Sequence, residues 1–162
     1  MSLINRFSAK GSDVMSAEAA DDMLAISGLS RNEVELRVTQ AYRRQGYQVA
    51  TSPGPAADPD AGMVLTHGGQ RVLLQCKYWK TRKLAEMPVR ELYGLMAAQG
   101  ANAGILITAG SFTLEASRFA GYGRIQLIDG PRVLALLRED ESAERSAGRA
   151  AEQAQRANSA GR

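Results

Sequence analysis

The run Arg71-Val72-Leu73-Leu74-Gln75-Cys76-Lys77-Tyr78-Trp79-Lys80 follows Gly68-Gly69 and predicts a strand, dense enough in apolar residues to be buried on both faces. Side chains alternate along a strand, so Val72, Leu74 and Cys76 point one way and Leu73, Gln75 and Lys77 the other. The second set ends in an amide and an ammonium two residues apart. Burying such a pair is costly unless something binds it, so it asks for an anionic or metal-bound partner. Basic and aromatic residues run on through Tyr78, Trp79, Lys80, Arg82 and Lys83, which makes this end of the strand a site candidate.

Working outward, the chain has 162 residues, enough for one domain with a real core. Its composition, 44% hydrophobic and 23% charged, excludes disorder throughout. A net charge of +3 permits a nucleic-acid partner without demanding one. The single cysteine, Cys76, rules out an internal disulfide and suits a reducing cytoplasm. No apolar run approaches the roughly 18 residues of a membrane helix. The start of the chain carries no apolar signal core, so the expected location is cytoplasmic.

Residues 1–29 read as a flexible lead, with at most a short helix over Ala17 to Ile26 that Asp21-Asp22 leaves with little apolar face. Ser30-Arg31-Asn32-Glu33 then fits a capping box. Val34, Val38, Ala41 and Tyr42 recur at helical spacing, and Gly46 ends that helix before a strand at Tyr47-Gln48-Val49-Ala50. Glu35, beside the stripe, reads on its own as a solvated first-turn carboxylate favoured by the helix dipole. Residues 51–61 are loop, rich in proline and carrying Asp58 and Asp60. Gly62 to Thr66 is a short strand, and His67-Gly68-Gly69-Gln70 turns it into the strand quoted above. His67, the only histidine, has no partner at ligand spacing and reads as a surface loop residue.

Beyond the hairpin the pattern becomes β-α-β. Met87 to Gln99 is a helix, its methionines and aromatics read as core, and Gly104 to Thr108 is a continuous apolar strand. Phe112, Ala116, Phe119 and Ala120 mark another amphipathic helix, Ile125 to Ile128 a last strand, and Asp129-Gly130-Pro131 a helix start. From about Arg138 the apolar side chains are alanines only, which leaves either a lone helix or a disordered tail. The domain is therefore placed at residues 30–138 and the tail at 139–162. The order of elements predicts an α/β fold, a mixed sheet flanked by helices.

Phosphodiester hydrolysis needs a metal to polarise the phosphate, acids to hold it, and a cation near the attacking water or the developing charge. Gln75 and Lys77, with a carboxylate upstream, are residue types that suit this, though such a pattern is frequent by chance and equally describes an exposed sheet-end pair.

The blocks Val34-Glu35, Arg43-Arg44-Gln45-Gly46-Tyr47, Gln75-Cys76-Lys77-Tyr78-Trp79, Val89-Arg90-Glu91-Leu92-Tyr93-Gly94, Ile107-Thr108-Ala109-Gly110-Ser111-Phe112-Thr113 and Leu127-Ile128-Asp129-Gly130 follow one another in order. Together they resemble the catalytic domain of Mrr-type restriction endonucleases, in the PD-(D/E)xK nuclease superfamily, over roughly residues 31 to 138. The resemblance implies a restriction-endonuclease-like mixed sheet between helices and Mg²⁺-dependent cleavage of DNA, often modified DNA, in defence against foreign DNA. It puts the family's Gln-x-Lys on Gln75 and Lys77 and its first-helix acid on Glu35.

The chain departs from that family at one place. Where the pattern Asp-Gly-Gly-(Val/Ile)-Asp-Leu carries its metal ligand, an ungapped count back from Gln75 reaches Gly62, with Asp58 on the pattern's first Asp. Asp60 is the nearest carboxylate. Three readings stand. The first is an endonuclease with Asp60 and Gln75 on the metal, Lys77 on the water and phosphate, and Glu35 as a supporting acid. The second is a degenerate module holding DNA through Lys77, Lys80, Arg82 and Lys83, and the third a partner-binding domain with no DNA affinity. One catalytic centre cuts one strand, so double-strand cleavage would need a homodimer, for which residues 1–29 and 139–162 are candidate contacts, or two visits.

Overall fold

The computed structural model describes residues 28–51, 62–77 and 82–160. The possible helix over Ala17 to Ile26, and Asp58, Asp60, Tyr78, Trp79 and Lys80, lie outside those residues. Helix α1 spans Arg31–Arg44, and the expected capping box opens it. The Glu33 amide donates to Ser30 Oγ at 3.2 Å, and the Ser30 amide donates to Glu33 Oε2 at 2.7 Å. Strands β1 (Gln48–Thr51), β2 (Met63–His67) and β3 (Gln70–Cys76) follow as an antiparallel meander. The β2–β3 link is tight, with His67 opposite Gln70 and both intervening glycines at positive φ, +56° at Gly68 and +76° at Gly69. That is a two-residue turn of the primed kind, whose twist matches the flanking strands.

The rest of the sheet is parallel. Helix α2 (Glu86–Gln99) carries the chain to β5 (Ala103–Ile107), and α3 (Leu114–Gly123) carries it to β7 (Ile125–Ile128). The strand order is β1-β2-β3-β5-β7, which puts β3 at the centre, where antiparallel pairing changes to parallel. Helix α4 (Gly130–Ala160) completes the fold. The expected mixed sheet between helices is what the chain forms.

Alternation along β3 sorts the core into two layers. Val72, Leu74 and Cys76 join Val34 and Val38 of α1 and Val133, Leu134, Leu136 and Leu137 of α4. Leu73 joins Val89, Leu92 and Met96 of α2 and Ala116 and Ala120 of α3. Leu73, Leu74, Leu92 and Leu106 are fully buried, each contributing about 1.5–3 kcal/mol through the hydrophobic effect.

Two readings need correction, and one left open is settled. The central strand ends at Cys76 rather than running on to Lys80; Lys77 keeps one backbone bond, to the Ile107 carbonyl at 3.0 Å, but no longer has strand geometry. Phe112 is not in a helix: Ser111–Phe112 forms a short strand, β6, paired in parallel with β4 (Lys83–Leu84). The helix starts two residues later because Thr113 caps it, its hydroxyl accepting from the Ala116 amide at 3.2 Å. Finally, of the two options left open beyond Arg138, the helix holds. Helix α4 runs unbroken to Ala160, tied to α1 by Arg37 on Glu141 and by Arg44 on Asp140 and Glu144.

Candidate active site

The carboxyl ends of β3, β5 and β7 lie side by side, held by Lys77 N–H on the Ile107 carbonyl and Thr108 N–H on the Ile128 carbonyl. Open α/β sheets bind ligands at this edge. Gln75 and Lys77 sit here, on the face of β3 covered by α2 and α3, as the alternation predicts.

Both side chains are buried where an apolar residue would be the stable choice. Gln75 is 1% exposed and Lys77 8%. Lys77 is not alone: its Nζ donates to Glu91 Oε2 at 2.9 Å, a partner that was not singled out from the sequence. Helix α2 delivers that carboxylate. Val89 and Leu92 press it onto the sheet with no exposed surface, and Glu91, the next position round the helix, emerges at the margin of the buried stripe. An ammonium taken out of water needs such a counter-charge, since desolvation otherwise outweighs what burial gains. A sequence signal did exist, an acid flanking the apolar stripe of the helix after the Gln-x-Lys strand, but the pairing spans 14 residues and no local rule reveals it.

Glu35 lies on the other side of the sheet. It pairs with Arg31 one turn earlier, Nε to Oε1 at 3.2 Å, on the α1 layer that also holds Cys76. Burial pushes the Cys76 thiol well above its ordinary range, the Glu35 charge adds to this, and Arg31 opposes it. That thiol stays protonated and inert. Arg82 and Lys83 are exposed, Lys83 on β4, while Asp60 and Lys80 lie outside the described residues.

Position 62 shows why no carboxylate stands there. Met63 pairs with Leu74, so Gly62, the residue before it, falls opposite Gln75. Its φ is +70°, a conformation L side chains rarely adopt, and a Cβ would lie 2.6 Å from the Leu74 carbonyl oxygen and 2.8 Å from Gln75 Cγ. The backbone of β2 is packed against the very residue a ligand at this position would have to accompany. Among the described residues, no three His, Cys, Asp or Glu side chains group as a metal site, and no helix is long and apolar enough to cross a membrane.

A family model described as restriction endonuclease, for the Mrr catalytic domain, matches residues 26–137. Among solved structures, the chain is similar to MspJI restriction endonuclease in complex with a 27-mer oligonucleotide, with 20% identity and a TM-score of 0.51 over 78% of this chain and 34% of that one. That likeness shows the fold. AspBHI, a DNA modification-dependent restriction endonuclease, matches at 12% identity and a TM-score of 0.48 over 81% of this chain and 40% of its own. A repair endonuclease from Pyrococcus abyssi matches at 18% and 0.41, over 74% and 49% respectively. The chain thus spans a half or less of the length of these three structures. No curated protein matches it in sequence.

Proposed function

The chain belongs to the Mrr-type restriction endonuclease family, and we propose that it hydrolyses DNA phosphodiester bonds, with Gln75 and Lys77 at the carboxyl end of β3 as the centre of the site. The observation that carries this reading is the burial of an amide and an ammonium on one face of the central strand, beside a sheet edge suited to ligands.

Lys77 would meet the anionic phosphate or orient the attacking water. One of its three N–H donors is spent on Glu91, which leaves two for that work. Magnesium favours hard oxygen donors, usually one or two carboxylates, with water and substrate phosphate completing the shell. The Gln75 amide oxygen suits such an ion, and since a side chain at position 62 would be strained, Asp60 is the carboxylate that would join it. When bound, the ion would polarise the phosphate and neutralise charge as the pentavalent state forms. Lys80, Arg82 and Lys83 would track the DNA backbone, and the substrate would be foreign or modified DNA met in the cytoplasm.

Gly62 specifically favours a second reading, a module of the same fold that holds DNA without cutting it. Supercoiled plasmid incubated with Mg²⁺, Mn²⁺ or EDTA, beside Asp60→Ala and Lys77→Ala, separates the two. Metal-dependent nicking lost in both variants supports the nuclease with its ligand displaced to Asp60. A salt-sensitive gel shift with no nicking under either metal supports the binding module.

A further inference from the structure

We propose that Glu91 is the positioning residue for Lys77: its carboxylate holds the ammonium at the carboxyl end of β3, on the face the lysine shares with Gln75. The catalytic consequence of this pairing rests on the endonuclease reading above; the pairing itself does not.

A lysine head group sits on a flexible four-carbon stem and loses its precision unless something fixes it. Here both ends are fixed. The Lys77 backbone N–H is bonded to the Ile107 carbonyl at 3.0 Å, and its Nζ lies 2.9 Å from Glu91 Oε2. The carboxylate comes from a rigid element, since Val89 and Leu92 on either side of Glu91 are fully buried. Sites supported in this way by helices keep their geometry better than sites on loops. The two partners differ in exposure, with 9% of the lysine side chain accessible against 44% of the glutamate. Glu91 therefore stays partly open to solvent while the ammonium is held inside. Arg90, its neighbour, bonds instead to Glu86 one turn back and lies over the Phe119 ring at 4.7 Å, so Lys77 has the Glu91 carboxylate without competition from that guanidinium. Glu91 would not touch the phosphate. It would act by deciding where Lys77 Nζ stands.

The test uses the full chain as wild type, Glu91→Gln and Glu91→Asp. The first readout is the ¹⁵N side-chain ammonium signal of Lys77, assigned by its loss in Lys77→Met. Wild type is expected to give a resolved, exchange-protected signal that Glu91→Gln broadens away and Glu91→Asp partly keeps. An unchanged signal in Glu91→Gln overturns the pairing, whether or not the protein cuts DNA. The second readout is plasmid nicking beside DNA affinity. Glu91→Gln is expected to lower the nicking rate about 10- to 100-fold with Kd for DNA within about 3-fold, and Glu91→Asp to recover part of the rate. Wild-type nicking matched by Glu91→Gln sinks the positioning role. If wild type does not nick at all, the endonuclease reading fails, and the ammonium signal still decides the pair.

Discussion

At its carboxyl end β3 presents two different environments a peptide bond apart. On the α1 side Cys76 is sealed among Leu74, Ile107 and Val34, and the charged pair Arg31–Glu35 stays near the margin with about a quarter of each side chain exposed. On the α2 side Gln75 and Lys77 occupy equally buried positions, and the charge goes inside with them. An apolar residue at either place would give a more stable sheet, because a buried ion pair seldom outperforms well-packed hydrophobic side chains. One face obeys the packing rule and the other breaks it. The proposed function puts the working surface on the face that gives up stability, at the edge where open sheets bind ligands.

The sharpest way to break this contrast is to change adjacent residues. Lys77→Ala should lower plasmid nicking by roughly 100- to 1000-fold, the scale of losing one group that stabilises developing charge. Cys76→Ala, on the opposite face, should leave the rate within about 3-fold. Equal losses would mean that the two sides are not functionally distinct. Stability should not distinguish them: Leu73→Ala and Leu74→Ala, both at fully buried positions, should each cost about 2–5 kcal/mol in urea unfolding. Next comes Gly62→Ala, at positive φ with the Leu74 carbonyl in the path of its Cβ, expected to cost roughly 2–3 kcal/mol. If Gly62→Ala proves neutral, the site has room for a ligand at 62 and the case for Asp60 weakens.

The smallest effect expected is at the cap of α1. Ser30→Ala should lower Tm by about 3 °C. The Ser30 backbone amide, then its hydroxyl, hold the Glu33 carboxyl below the usual carboxylate range. A carboxyl with a depressed folded pKa stabilises at pH above its unfolded value and loses that contribution as the pH falls through the folded one. Thermal melts from pH 6 to pH 3 should therefore show the gap between wild type and Ser30→Ala narrowing as acid is added.

Much of this was legible in the residues because the signals are local. The capping box needs only Ser30 and Glu33, the hairpin only Gly68-Gly69, and the two-sided burial of β3 only its own alternation. What escaped depends on distant parts of the chain. Strands β4 and β6 are two residues each, too short to show a period, and exist because they pair with one another. The Lys77–Glu91 pair joins the residue after β3 to α2, and the α4 extension draws on Arg37 and Arg44 about a hundred residues earlier. The resemblance to the family pointed to β3 as the strand of the proposed site, and packing then showed that Glu91 of α2 meets Lys77 there.

The long last helix changes how this molecule moves in solution. At 1.5 Å per residue, the 31 residues of α4 make a rod of about 46 Å. Its side chains are buried no further than Leu137, and every residue from Glu141 to Ala160 is exposed. A compact chain of 162 residues would have a radius of gyration of about 15 Å. The stretch beyond Glu144, about 24 Å of that rod, is an arm that makes the described part of the molecule asymmetric, with tumbling slower end over end than about the rod. Backbone amides in α4 beyond Glu144 should then share the orientation of the domain in residual dipolar couplings, as a stiff antenna reports the attitude of its base.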